Sequence, residues 1–147
     1  MSKFLIKRTS NATDLPLPKR MSEAAAGFDL YANIEQDLIL KKGERLLVPV
    51  GVSIALPYSY EAQIRPRSGL ALKHGITMVN APGTVDADYR GELGVLLINF
   101  GEYDYVIKRG DRVGQMVINK VEMADFEEVN ELPESNRGSS GYGSTGK

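Results

Sequence analysis

The chain of 147 residues has no cysteine, no tryptophan and a single histidine, His74. Without cysteine there is no disulfide, no thiolate nucleophile and no Cys-ligated zinc. One imidazole excludes a multi-His metal site. An excess of basic charge is missing too: 18 Lys and Arg against 19 Asp and Glu leave a formal net charge of -1. That balance argues against a nucleic-acid coat or an anionic membrane surface as partner, since both favour a basic excess. The apolar run "FLI" near the start is too short for a signal-peptide core. No stretch approaches the length needed to span a bilayer. The expectation is an intracellular, cytoplasmic protein (nuclear if the source is eukaryotic or viral), with neither nucleic acid nor membrane as partner. A long amphipathic helix is also missing.

What the chain has is a succession of short β-rich runs. They are "KFLIK", "FDLYANI", "DLILK", "RLLVPVGVSIAL", "EAQIRP", "ITMVN", "ELGVLLINF", "YDYVIK" and "RVGQMVINKVEM". Turn signals such as "KKGE", "APG", "NFGE" and "KRGD" separate them at short, fairly regular spacing. The pattern predicts one all-β domain, a sandwich or barrel, which at this length buries roughly 70% of its unfolded surface. Val113, Met116, Val117 and Val121 also satisfy a helical period. The Val/Ile content and the preceding "KRGD" turn favour a strand there. "GLALKHG" is the one candidate for a short helix.

From Arg137 the composition changes to "RGSSGYGSTGK". This segment cannot bury enough surface to fold alone and is expected to be flexible without a ligand. Its end contains both G-x-G-x-x-G and G-x-x-x-x-G-K. Neither the dinucleotide nor the P-loop reading holds, because no strand precedes the glycines and no helix follows them. The residue types still suit a polyphosphate. Glycines let backbone N–H groups approach oxyanions, hydroxyls donate, and Arg137 offers a fork of donors. Tyr142 adds a flat face. A disordered tail is the competing reading.

Four further stretches combine glycine with charge. In "AGFDLYA", residues 26–32, Asp29 interrupts an apolar strand, as a site carboxylate or an ordinary edge-strand one. In "RPRSGLALK", residues 65–73, Ser68 is placed to cap an apolar turn beside Arg67, leaving N–H groups for an anion; a solvated basic strand end is the alternative. "NAPGTVDADYRGE", residues 80–92, reads as a hairpin. If it is extended, Asp86 and Asp88 point to opposite faces. In "GDRVGQMVI", residues 110–118, Arg112 and Gln115 enter a strand, or form a polar strand start.

Taken in order, with "RGSSGYGSTG" as the fifth, these stretches closely resemble the five motifs of the trimeric dUTP pyrophosphatase (dUTPase) family. The resemblance runs from residue 26 to 146. Two small departures are Tyr142 where Phe is usual and Val85 where Ile often stands. The resemblance implies a jelly-roll-like β-barrel over residues 1–136, with residues 137–147 as a glycine-rich lid of the same domain. It also implies a homotrimer whose sites are each built from three chains.

The implied activity is hydrolysis of dUTP to dUMP and pyrophosphate, which limits uracil incorporation into DNA and supplies dUMP for thymidylate synthesis. Asp86 matches the carboxylate that orients and deprotonates the attacking water. Arg67, Ser68 and Gly69 match phosphate contacts, and Gln115 matches a phosphate or water-positioning group. Arg137, Tyr142, Gly143, Ser144 and Thr145 match the lid. Uracil is expected to be read by the backbone of Gly83, Thr84 and Val85 and by Gly94, with Asn80 nearby and Tyr89 under the deoxyribose. Mg2+ is the implied cofactor, held mainly by the triphosphate and water. Asp29 then acts at most in the outer sphere, and no residue is a direct metal ligand. His74 falls outside the matched positions and reads as structural or exposed. A dCTP deaminase, which shares the family's fold, and a non-catalytic binding module are the competing functions.

Overall fold

The computed structural model describes residues 4–141. Among them run eleven strands and one helix: β1 (Leu5–Arg8), β2 (Phe28–Tyr31), β3 (Leu38–Leu40), β4 (Arg45–Pro49), β5 (Val52–Ala55), β6 (Tyr60–Arg65), α1 (Ser68–His74), β7 (Ile76–Met78), β8 (Gly83–Val85), β9 (Gly94–Asn99), β10 (Tyr105–Ile107) and β11 (Arg112–Lys120). Of "RVGQMVINKVEM", the stretch with helical periodicity, Arg112–Lys120 form a strand, and Val121 to Met123 lie beyond its end. The one helix sits where "GLALKHG" predicts it.

The strands form a four-stranded sheet ordered β2-β11-β6-β8, a three-stranded sheet ordered β4-β9-β7, and the pairs β1-β5 and β10-β3. Every pairing is antiparallel. Side chains of a strand alternate between faces, and the sequence uses this. β9 turns Val95, Leu97 and Asn99 inward, β5 turns Val52 and Ile54, and β6 turns Ala62 and Ile64. These residues meet Leu30, Leu40, Val48 and Ile107 in a single core. Each buried aliphatic side chain contributes about 1.5–3 kcal/mol. Asn99 lies within this core, fully buried, and every polar atom of its side chain is matched. Its Nδ2 donates to Leu40 O (3.0 Å) and Tyr103 O (2.8 Å), and its Oδ1 accepts from Gly101 N (2.8 Å).

Three expectations change in detail. The run "RLLVPVGVSIAL" is two strands in two sheets. The chain turns at Gly51, whose φ of 69° favours glycine and whose missing side chain leaves room for Ala12 and Asn33. The stretch 80–92 is not a simple hairpin. β8 pairs with β6, whereas β9 pairs with β4 and β7, so the residues between them cross from one sheet to another. Ser68 does not cap α1; it is the first helical residue, and Arg67 is the N-cap without a side-chain bond. The Arg67 carbonyl already accepts the first helical bond from Ala71 N (3.1 Å). The helix therefore starts one residue earlier than a Ser68 cap requires.

After β11, residues 121–141 contain no strand or helix. Met123, Phe126, Val129 and Leu132 are exposed along this stretch, Phe126 completely.

Candidate active site

A cavity of about 490 Å³ opens beside the β8–β9 crossing, lined by Leu47, Pro49, Thr84, Val85, Asp86, Tyr89, Glu92, Leu93 and Gly94. Its position follows from the sheets. β8 ends at Val85, and the chain then folds into a turn in which Tyr89 N donates to Asp86 O (3.2 Å). The Arg90 guanidinium latches this turn by donating to Ala87 O (2.7 Å) and Tyr89 O (2.9 Å). Tyr89 Oη donates to Glu92 O (3.2 Å), which lays the half-exposed ring along the cavity. Because the stretch is a turn, Asp86 and Asp88 do not alternate as on a strand. Both line a neighbouring cavity of about 540 Å³, and only Asp86 faces the first one as well. Asn80 lies against Gly83, where a Cβ would stand 3.0 Å from its Nδ2.

A second cluster forms on the outer face of the four-stranded sheet. Asp29 on β2 accepts from Arg112 Nη1 (3.0 Å) and pairs with Arg67 Nε (3.6 Å), while Arg67 Nη1 donates to Arg112 O (3.2 Å). Gln115 Nε2 donates to Pro66 O (3.0 Å), and its Oε1 lies where a Cβ on Gly27 would stand. Residues three apart on a regular strand face opposite ways, yet Arg112 and Gln115 both meet this cluster. The register shift between Arg112 and Gly114 is the reason. It inserts one extra residue, turns Val113 into the core and brings Gln115 back to the outer face. Gly114 fits the bulge because a Cβ there would stand only 3.1 Å from a Val95 methyl. The Asp29 carboxylate is largely buried and its two partners only partly exposed, so the pairs fix where the guanidiniums point. Burial pushes the neighbouring Tyr105 hydroxyl up, Asp111 adds to the rise, and Arg67 opposes it.

Arg112 and Glu92 carry contacts that motif reading alone does not assign. Arg112 enters through the bulge, and Glu92 through a bond to a turn remote in sequence. Ser68 and Gly69 are exposed at the start of α1, and a Cβ on Gly69 would meet nothing within 4 Å. Arg137 Nε donates to Ser140 O (2.8 Å) in a local turn. Tyr142, Gly143, Ser144 and Thr145 lie outside the described residues. His74 packs at a tilt against Tyr105, ring centroids 4.9 Å apart, and lines a different cavity at the end of α1.

The two clusters sit at opposite ends of one sheet. Gln115 is opposite Arg65, and Val85 is opposite Ala62. With a rise of roughly 3.4 Å per residue and a strand spacing of roughly 4.8 Å, the backbone at Asp86 lies on the order of 15 Å from that at Gln115.

No group of three His, Cys, Asp or Glu that could hold a metal occurs among the described residues. The Asp29 carboxylate is already balanced by guanidiniums. Mg2+ carried on substrate phosphates and water asks for no such protein cluster. No helix among the described residues is long and apolar enough to cross a membrane.

The dUTPase family model matches residues 13–146. A protein of Caldanaerobacter subterraneus subsp. tengcongensis named deoxyuridine 5'-triphosphate nucleotidohydrolase is 57% identical over 141 residues, 96% of this chain and 95% of that protein. One of the same name from Rickettsia akari is 55% identical over the same shares. The fold is that of a Staphylococcus bacteriophage 80alpha dUTPase variant solved with dUpNHpp (TM-score 0.89, 23% identity, all of both chains). It is shared with a phage phi11 dUTPase variant whose structure concerns the coordination of a structural Mg(II) ion (TM-score 0.78, 20% identity, 89% of this chain and 99% of that one).

Proposed function

Since the chain belongs to the dUTPase family, we propose that it hydrolyses dUTP to dUMP and pyrophosphate, thereby limiting uracil incorporation into DNA and supplying dUMP for thymidylate synthesis. The observation that carries this reading is the placement of Asp86 in one cavity with Tyr89, Thr84, Val85 and Gly94. A carboxylate there stands beside strand backbone, aliphatic side chains and an aromatic ring, which suits a base, a sugar and a water molecule.

In this reading Asp86 accepts a proton from a water whose oxygen attacks the α-phosphorus. The bond to the bridging oxygen breaks and pyrophosphate leaves. The carboxylate is a weak base, but the water needs activation only as attack proceeds, and fixed geometry supplies much of the effect. Arg67 and Gln115 hold phosphate oxygens, with Ser68 and Gly69 beside them, and Asp29 aims Arg67 and Arg112 at the same anion. When bound, Mg2+ neutralises charge developing on the leaving group. The strand backbone of Gly83 to Val85 and Gly94, with Asn80, reads the uracil edge. Cytosine would put a donor where uracil has an acceptor and leave buried groups unpaired, at roughly 1–3 kcal/mol each. The Tyr89 ring lies under the deoxyribose and leaves no partner for a 2′-hydroxyl.

The same reading includes a homotrimer with shared sites, in which residues 137–147 close as a lid on a barrel of residues 1–136. Two observations support it. The backbones at Asp86 and Gln115 lie on the order of 15 Å apart in one chain, a separation that favours pairing Asp86 with the Arg67 and Gln115 of another copy. The apolar side chains Met123, Phe126, Val129 and Leu132 also lack cover in a single chain, and a neighbouring copy is a natural cover.

Pyrophosphate release from dUTP, UTP, dCTP and dTTP tests the function. The expected result is strong preference for dUTP, with no ammonia from dCTP. Ammonia release would install the deaminase reading, and equal turnover of all four would remove the specificity assigned to the cavity.

A second expectation concerns Gly27. A Cβ there meets the flexible end of Gln115, so Gly27→Ala should displace that side chain and leave the sheet intact. A shift of about 1 Å can cost up to roughly 10²-fold in rate. We expect Gly27→Ala to reproduce much of the kcat/KM loss of Gln115→Ala, with the double variant little worse than either. Fully additive losses would separate the two residues.

A further inference from the structure

We infer that Glu92 and Asn33 are positioning residues for the sugar-facing ring of Tyr89, acting through a hydrogen-bonded chain rooted in the Asp14–Arg109 pair. The inference rests on the proposed hydrolysis of dUTP and on Tyr89 lying under the deoxyribose.

Glu92 meets Tyr89 through its main chain and the barrel through its side chain. Its carbonyl accepts the Tyr89 hydroxyl (3.2 Å). Its Oε1 accepts from Gly51 N (2.8 Å), in the positive-φ turn between β4 and β5, and from Asn33 Nδ2 (3.4 Å). Asn33 is buried, at 4% exposure, and its Oδ1 accepts from Arg109 Nη1 (2.9 Å). Arg109 is in turn fixed by Asp14, whose carboxylate takes Nε at 3.0 Å and Nη2 at 2.6 Å, and by the carbonyls of Asn11 and Ile34. The Arg109 guanidinium holds the Asp14 carboxyl below its ordinary range. Gly91 completes the seat, since a Cβ there would collide with the Tyr89 ring.

What separates this chain from ordinary scaffolding is the exposure of Glu92 on the cavity wall. Removing the exposed Glu92 side chain opens a path for water toward the N–H of the buried Gly51, and Asn33 Nδ2 keeps its bond to Asn11 Oδ1 (3.0 Å). Water cannot fix where residue 92 stands, and the hydroxyl of Tyr89 is tied to residue 92. The next residue, Leu93, is held independently by Val52 O (2.8 Å) and by Val50 N (3.1 Å). Loosening is therefore confined to the turn of residues 86–92.

The test uses the full chain carrying Glu92→Ala, Glu92→Gln or Glu92→Asp. The readouts are kcat/KM for dUTP, UTP and dCTP, melting temperature, and backbone amide exchange of residues 86–91 without nucleotide. Glu92→Ala should lower the dUTP:UTP ratio roughly tenfold or more, well within what a 1 Å misplacement can do. The dUTP:dCTP ratio should hold and the melting temperature should change little. Amide exchange at Tyr89 should quicken. Glu92→Gln keeps an acceptor for Gly51 N–H and should recover most of the discrimination. Glu92→Asp draws the carboxylate back by one methylene and should fall between them; it also carries the test if the alanine variant does not fold. Wild-type sugar discrimination and amide exchange in folded Glu92→Ala, or in Glu92→Asp where that variant must stand in, overturn the inference. So does a lowered melting temperature with discrimination unmoved. Wild-type protein unable to tell dUTP from UTP would instead remove the reading of the cavity on which the inference rests.

Discussion

Asp86→Asn is expected to fold, bind dUTP with little change in KM, and lose roughly 10²–10⁴-fold in kcat, the usual scale for a positioned general base. Asparagine keeps the size of the side chain and can still hold a water, but it cannot take the proton. The turn that presents Asp86 uses its main-chain carbonyl, bonded from Tyr89 N at 3.2 Å, and leaves the side chain out of the contacts that hold the turn. A large fall in kcat therefore reports chemistry and not a broken loop. Removing a negative charge next to a triphosphate should also not weaken binding. Single-turnover pyrophosphate release, beside binding of a non-hydrolysable analogue, separates the two effects. Near-normal turnover by the folded variant would take Asp86 out of the mechanism. The same fall produced entirely by a raised KM would make it a binding residue.

The strands were readable because burial on one face leaves a period of two in the sequence, as in "GVLLIN" and "VSIA". In "RVGQMVINKVEM" the Val and Ile content and the preceding "KRGD" turn mark a strand, and Arg112–Lys120 form one. Points where the chain leaves its sheet were harder. Gly51 lies inside an apolar run that reads as one strand, and only its φ of 69° and its crowding against Asn33 show the corner. The stretch at residues 80–92 has the composition of a hairpin, but which strands pair depends on contacts distant in sequence. The joining of Arg112 with Gln115 was hidden for a similar reason, since a one-residue bulge reverses the facing that alternation predicts. Asn33 and Glu92 carry no local signal: their meaning lies in a partner 59 residues away. The motif residues around Asp29, Arg67, Asp86 and Tyr89 were legible as a pattern of types. Their division into two clusters was not, because it follows from the register of β6 against β8 and β11.

That division leads to the other large effect. Two inactive variants should restore each other: Asp86→Ala, and a chain truncated after Asn136. Each alone assembles with every site lacking one element, either the base or the lid. With Asp86 on the order of 15 Å from the Gln115 backbone of its own chain, the proposed site takes base and phosphate clamp from different copies, and the lid is free to come from either of them or from a third. If base and lid come from different copies, a mixed trimer contains sites with Asp86 from the truncated chain and the lid from the Asp86→Ala chain. Such sites are complete. Their abundance follows the product of the two mole fractions under random assembly, so activity should peak near equal mixing and vanish at either end. The chains must be unfolded and refolded together, because a stable oligomer need not exchange subunits. Native mass measurement establishes that mixed species have formed. Activity that appears with this dependence requires base and lid from separate chains. Confirmed mixed trimers with no more activity than the separate variants would assign both elements to one chain. The copy that supplies Arg67 and Gln115 would then be the only one crossing over.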